Sequence, residues 1–229
     1  MALWYAVIAT IGFVILRSLW ARHLLRSRFD EFAQNDHQEL SLDDAPRSLR
    51  KMHAAYKPEL ERFNFKPLIF YRSTKFLKGR NFYCIYLSPE RDTLFELLYF
   101  ASPLSQRLLM LACFSSQALN RQDLVRHCET HFEDDTIVTV SDMAHISMPS
   151  WVRALSVSRS ASISEILAAH TIELTRHEAT HPSERIKIVD KEHFLELEKK
   201  TRARLAKLNE AHYENLLKDG TLGDPDGRN

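Results

Sequence analysis

Hydrophobic and polar positions follow three different periods along this chain, and each change of period marks a boundary. The first nineteen positions after Met1 have no period at all: Ala2 to Trp20 carries no charged side chain before Arg17. A helix rising about 1.5 Å per residue over that stretch matches the roughly 30 Å of a bilayer's hydrocarbon core. Trp4, Tyr5 and Trp20 stand near its ends, where amphipathic rings favour the headgroup level. A cleaved signal is the competing reading, but the start has no basic side chain, and bulky Leu19 and Trp20 occupy the place of a small-residue cleavage site. The stretch reads as a single transmembrane helix that contacts membrane lipid. With Leu24, Leu25, Phe29 and Phe32 at helical spacing, the anchor and its juxtamembrane turn extend over residues 1–33.

Residues 34–45 are polar and acidic and read as a linker. Leu49, Met52, Tyr56, Leu60 and Phe63 then recur every three or four positions, which predicts a helix over 46–63 with Pro46 in its first position. Pro58 is expected to kink it near Lys57, and Asn64 to close it in the left-handed conformation.

After Asn64 the period shortens to two. Residues 67–75, 81–87 and 93–100 read as an antiparallel meander, with Ser88 and Pro89 opening a type I turn. Both alternating sets of the middle run are apolar, Phe82, Cys84 and Tyr86 against Tyr83, Ile85 and Leu87, so this strand must be covered on both faces. Leu108–Phe114 reads as a buried strand, with a helix started by Ser102 and Pro103 as the alternative. Residues 124–132 and 136–141 form a hairpin, since ThrIleValThrVal is strongly β-forming.

Residues 148–161 read as a Ser- and Pro-rich connection carrying Trp151. A capping box of Ser162 and Glu165 starts a helix over 162–178, and residues 185–189 alternate like an edge strand. Asp190 caps a last helix over 190–218 with an apolar stripe of Phe194, Leu197, Leu205, Leu208 and Leu216. Residues 219–229 read as a disordered tail.

The fold class is therefore α+β. One N-terminal transmembrane helix precedes a domain over 46–189 with an antiparallel sheet of four to six strands flanked by helices, and a long C-terminal amphipathic helix follows. Composition sharpens this only in part. With 45% hydrophobic and 27% charged residues the chain is globular, and its net charge of +1 implies no nucleic-acid partner. Arg17, Arg22, Arg26 and Arg28 precede the first acid, Asp30, so the positive-inside rule puts the main domain in the cytoplasm of a single-pass cell-membrane protein. Three cysteines without metal-like spacing agree with a reducing compartment.

Candidate chemistry is sparse. His127, Glu129 and His131 share a face whether the segment is strand or helix, but the order differs from the zinc-protease HisGlu-x-x-His, and a solvated strand face is the simpler reading. No phosphate loop, nucleophile elbow or Cys-x-x-Cys is present. The sequence accordingly names no catalytic residue, no cofactor and no metal ligand set. It points to a non-enzymatic, membrane-tethered module that binds a small ligand or a protein partner, the latter through its C-terminal helix. A membrane-anchored hydrolase or metal enzyme using His127, Glu129 and His131 is the alternative, and a structural subunit of a membrane complex is the third reading.

Overall fold

The computed structural model describes residues 37–74, 81–100, 124–142 and 148–219, with side chains of the last helix described as far as Lys207. The expected membrane anchor, the ambiguous Leu108–Phe114 run and the tail lie outside these residues. Among the described residues no helix is long and apolar enough to cross a membrane.

Seven strands form one sheet, and each lies beside its sequence neighbour: β1 (His37–Glu39), β2 (Lys66–Ser73), β3 (Asn81–Leu87), β4 (Leu94–Phe100), β5 (Leu124–His131), β6 (Ile137–Ser141) and β7 (Val152–Ser156). Every pairing is antiparallel except β6 with β7, which is parallel. The sheet is wider than the four to six strands expected. The two additions are its edges. β1 arises in the segment read as linker and pairs only through His37, Gln38 and Glu39, too few and too polar to show a period. β7 arises in the segment read as a connection, where ValArgAlaLeuSer has no clean alternation. Conversely, residues 185–189 form no ladder. They belong to an extended strap, pinned where Ile186 N–H donates to His131 O, Glu133 N–H to Glu184 O and Ile188 N–H to Arg91 O.

β3 is buried at all seven positions, as its two apolar faces require. On one face α1 (Arg47–Arg62) and α2 (Ile163–Glu178) pack over Phe82, Cys84, Tyr86, Phe95, Leu97, Cys128 and Val140. On the other, Ile188 of the strap and Phe194 of α3 (Lys191–Asp219) pack over Ile69, Tyr71, Tyr83, Ile85, Leu87 and Leu94. The result is three layers, helix, sheet and helix, and the strap carries the chain from α2 around one end of the sheet to α3.

α1 runs unbroken through Pro58. The ring and Ala54, whose carbonyl loses its partner, both face solvent, so water replaces the missing hydrogen bond and the break expected near Lys57 does not occur. The helix ends as anticipated: Asn64 is left-handed at φ 59°, Phe65 N–H reaches Leu60 O and Asn64 N–H reaches Glu61 O, a Schellman closure that buries Phe65 against Leu60. Among the described residues two further left-handed turn positions fall to non-glycine residues, Arg91 in the β3–β4 turn and Asp135 in the β5–β6 turn. That conformation costs about 1–2 kcal/mol. At Arg91 the strap offsets it, because the guanidinium donates to Ile188 O at 2.8 Å and to Val189 O.

α2 starts with the Ser162–Glu165 capping box complete in both directions. Asp190 caps α3 through His193 N–H at 2.8 Å. Cys84 and Cys128 are free, buried thiols, and burial pushes that of Cys84 up to about 12.

Candidate functional site

Alternation along β5 places Val125, His127, Glu129 and His131 on the α3 face, and cross-strand pairing sets His127 opposite Glu96 of β4 and Glu129 opposite Thr139 of β6. The three residues singled out in the sequence do meet. Glu129 accepts from both imidazoles, from His127 Nε2 at 3.1 Å and from His131 Nε2 at 2.9 Å, and Thr139 Oγ1 lies 2.6 Å from His127 Nε2. The face is not solvated, however: their side chains are 20%, 14% and 8% exposed, because the strap and α3 lie across them. Burial alone would raise the Glu129 carboxyl. The His131 charge and hydrogen bonds from both rings outweigh it and hold the group well below the usual carboxylate range. Among the described residues no group of three or more His, Cys, Asp or Glu side chains is arranged to hold a metal ion.

Beside this ladder lies a second polar set that the periodicity of α3 concealed. Arg202, 5% exposed, pairs with Glu198 and sits 5.9 Å above the Tyr83 ring. Glu198 also accepts from Tyr71 Oη at 3.2 Å and meets His37 Nε2 at 2.8 Å, which ties edge strand β1 to the helix. Glu96 is enclosed between these groups. Its burial, together with the negative charges of Glu129 and Glu198, pushes its carboxyl well above the usual range, so it is neutral where Glu129 is ionised. The charges here hold α3 on the sheet, and the neighbouring cavity, lined by His131, Trp151, Leu197 and Arg204, has a volume of about 20 Å³, room for one water.

The opposite face carries the open site. A cleft of about 550 Å³ lies between the C-terminal end of α1, the β3–β4 turn, the middle of α2 and the strap. This is the size of small-molecule sites, which combine apolar walls with a few placed polar groups. Phe63, Phe65, Leu167 and Leu174 supply the apolar walls, and Ser88, Asp92, Thr93, His170 and Arg185 the polar ones. Each position follows from a local rule already described. The Schellman turn aims Phe63 and Phe65, the Ser88–Arg91 turn presents Asp92, and helical spacing lines up Leu167, His170, Thr171 and Leu174 along α2.

The polar wall is nearly all internally committed. Asp92 Oδ1 accepts from Ser88 Oγ at 3.3 Å and from Thr93 Oγ1 at 3.1 Å, and its Oδ2 accepts from Arg185 at 3.2 Å. Arg185 donates as well to Glu178 at 2.6 Å, and Thr93 Oγ1 lies 3.0 Å from Thr130 Oγ1. His170 is the exception. The ring is 2% exposed and bonds the Val138 backbone, but its Nε2 has no hydrogen-bond partner. Burial lowers its pKa to about 4, so the ring is neutral at physiological pH. In the sequence His170 falls within the expected helix over 162–178 with no signal to single it out, and Arg185 within an expected edge strand. The cleft itself joins segments more than a hundred residues apart, which no local pattern reveals. No protein-family model matches the chain, and no curated protein or solved structure is significantly similar to it.

Proposed function

We propose that this chain is a membrane-tethered, non-enzymatic module whose globular domain binds a small ligand in the cleft between α1, α2 and the β3–β4 turn. The observation that carries the reading is the cleft: about 550 Å³, apolar on two walls, open to solvent, and built by elements whose own hydrogen bonds are otherwise satisfied. The His127–Glu129–His131 ladder supports it by contrast. Those groups bond one another beneath α3, and His131 alone of the three borders a cavity that holds one water, which suits a docking role better than turnover. The tether and its cytoplasmic orientation rest on the uncharged run Ala2–Leu16 and the arginine-rich flank after it.

The test uses the full chain in lipid nanodiscs and 1-fluoronaphthalene, a planar apolar molecule read by fluorine NMR. Ala168, exposed on the α2 wall, gives the matched control, because Ala168→Trp fills the cleft without disturbing the core. Saturable binding beyond lipid partition in the parent, absent from Ala168→Trp, is expected. Identical partition in both would sink the reading.

A further inference from the structure

Resting on that reading, we infer that the cleft selects a neutral, amphipathic ligand whose hydroxyl or amide N–H donates to His170 Nε2. Three features of the walls lead there.

Nothing is left in the cleft to attract an anion. Arg185 is the cation of its wall, and the guanidinium is shared between Asp92 and Glu178. The N-terminus of α2 lies close by at Ser164, but the N–H groups of Ser164 and Glu165 are taken. Glu165 N–H goes to Ser162 Oγ, and Ser164 N–H goes to Glu59 Oε1 at 3.3 Å. A cation fares no better. Both oxygens of Asp92 are occupied, and the other acid of the lining, Glu90, is exposed at the rim where solvent screens it.

An acceptor without a partner remains. Hydrogen-bonded burial is the rule for polar atoms, and an orphan forfeits free energy that a ligand restores when it supplies the donor. The imidazole bonds the Val138 backbone through its other nitrogen, so that nitrogen carries the proton and Nε2 presents a lone pair. The ring lines the cleft, and Phe65, Leu167 and Leu174 line it too. A flat apolar body against those side chains, with one donor directed at the α2 wall, fits this arrangement. Nε2 is closed to water in the unliganded domain, so the donor reaches it only as neighbouring side chains yield, and an ionic or strongly hydrated group is disfavoured at that step.

The measurement compares three molecules on the full chain in nanodiscs: 4-fluoro-1-naphthol, its methyl ether 4-fluoro-1-methoxynaphthalene, and 1-fluoronaphthalene. The naphthol should bind about fivefold or more tighter than the ether after subtraction of partition into the Ala168→Trp control. His170→Leu should erase that preference, so that naphthol and ether bind the variant alike. A second reading does not depend on a variant: the ¹⁵N resonance of the His170 Nε2 should move on addition of naphthol and stay fixed on addition of the ether. If 1-fluoronaphthalene binds saturably but naphthol and ether bind alike, the selection of a donor is refuted while the cleft stands as a site. If none of the three binds in the parent beyond the Ala168→Trp background, the cleft reading itself fails. Movement of the Nε2 resonance by all three molecules equally would also overturn the donor assignment.

Discussion

Glu96→Gln isolates the most unusual charge state in the domain. Glu96 pairs with Ile85 of β3 on one side and His127 of β5 on the other, beneath Glu198 and Arg202 of α3. Enclosure there raises its folded pKa above the ordinary value of 4.5. The sign follows directly. Below pH 4.5 the folded and unfolded chains both hold the proton and the residue contributes nothing. Above it the unfolded chain releases the proton while Glu96 keeps it, so stability falls as pH rises until the folded pKa is passed. Each proton so linked contributes a slope of about 1.4 kcal/mol per pH unit. Glutamine has the same shape and never ionises, so the variant lacks that slope. Its stability relative to the parent should therefore improve as the pH is raised from 5 toward 7, for as long as the folded group keeps its proton. Urea titration of the full chain in mild detergent at pH 5, 6 and 7 reads this, with Trp151 fluorescence as the signal, since that ring stacks 4.2 Å under Arg204 of α3. A difference between parent and variant that stays constant across the three pH values would refute the claim that Glu96 is neutral.

Three further outcomes follow from the same packing. Glu129 is the mirror case: its folded pKa is depressed, so the stability it contributes is present at neutral pH and is lost as acid titrates it, and Glu129→Gln should flatten the acid limb of the same titration. Leu197 lines the small cavity beneath α3, and burying a leucine is worth roughly 1.5–3 kcal/mol, so Leu197→Asp should lower the melting temperature by scanning calorimetry, whereas Leu216→Asp, beyond the last described contact of α3 with the sheet at Arg204, should leave it nearly intact; equal losses would place the whole helix in the core. Replacing His127 and His131 together by Ala should leave the metal content of the purified protein unchanged by elemental analysis, and stoichiometric zinc or iron lost in the double variant would favour the enzyme reading.

Strong periods carried the fold into view, and weak ones hid the rest. β3, with six apolar positions in a row from Phe82 to Leu87, announced its own burial on two faces, and the structure supplies α1 and α2 over one and α3 over the other. Capping chemistry was equally legible at Ser162, Asn64 and Asp190, because a cap needs only neighbours in sequence. The edges β1 and β7 were missed because a strand that pairs on one side, with polar or mixed residues, lacks the alternation that a buried face imposes. β7 is held partly by charge, through Arg153 to Glu173 of α2 at 2.8 Å, which no hydropathy pattern records. The burial of Arg202 has no hydropathy signal, since arginine is usually exposed, and the Glu198, Tyr71 and Tyr83 side chains around it are what accommodate it. The cleft was invisible for another reason. Phe63, Asp92, His170 and Arg185 come from four segments, and their meeting is a property of the three layers together.

The most direct measurement of the central claim is photolabelling of the full chain in lipid nanodiscs with a naphthyl diazirine, followed by peptide mapping with and without excess 1-naphthol. Labelling of lipid-facing residues is not competed by naphthol and serves as the internal reference. The account predicts competed, saturable labelling confined to Phe63–Phe65, Ser88–Thr93 and Leu167–Leu174, the segments that wall the cleft. Competed labelling that instead falls on α3 and the His127–His131 strand, or labelling that nowhere responds to competitor, would contradict it.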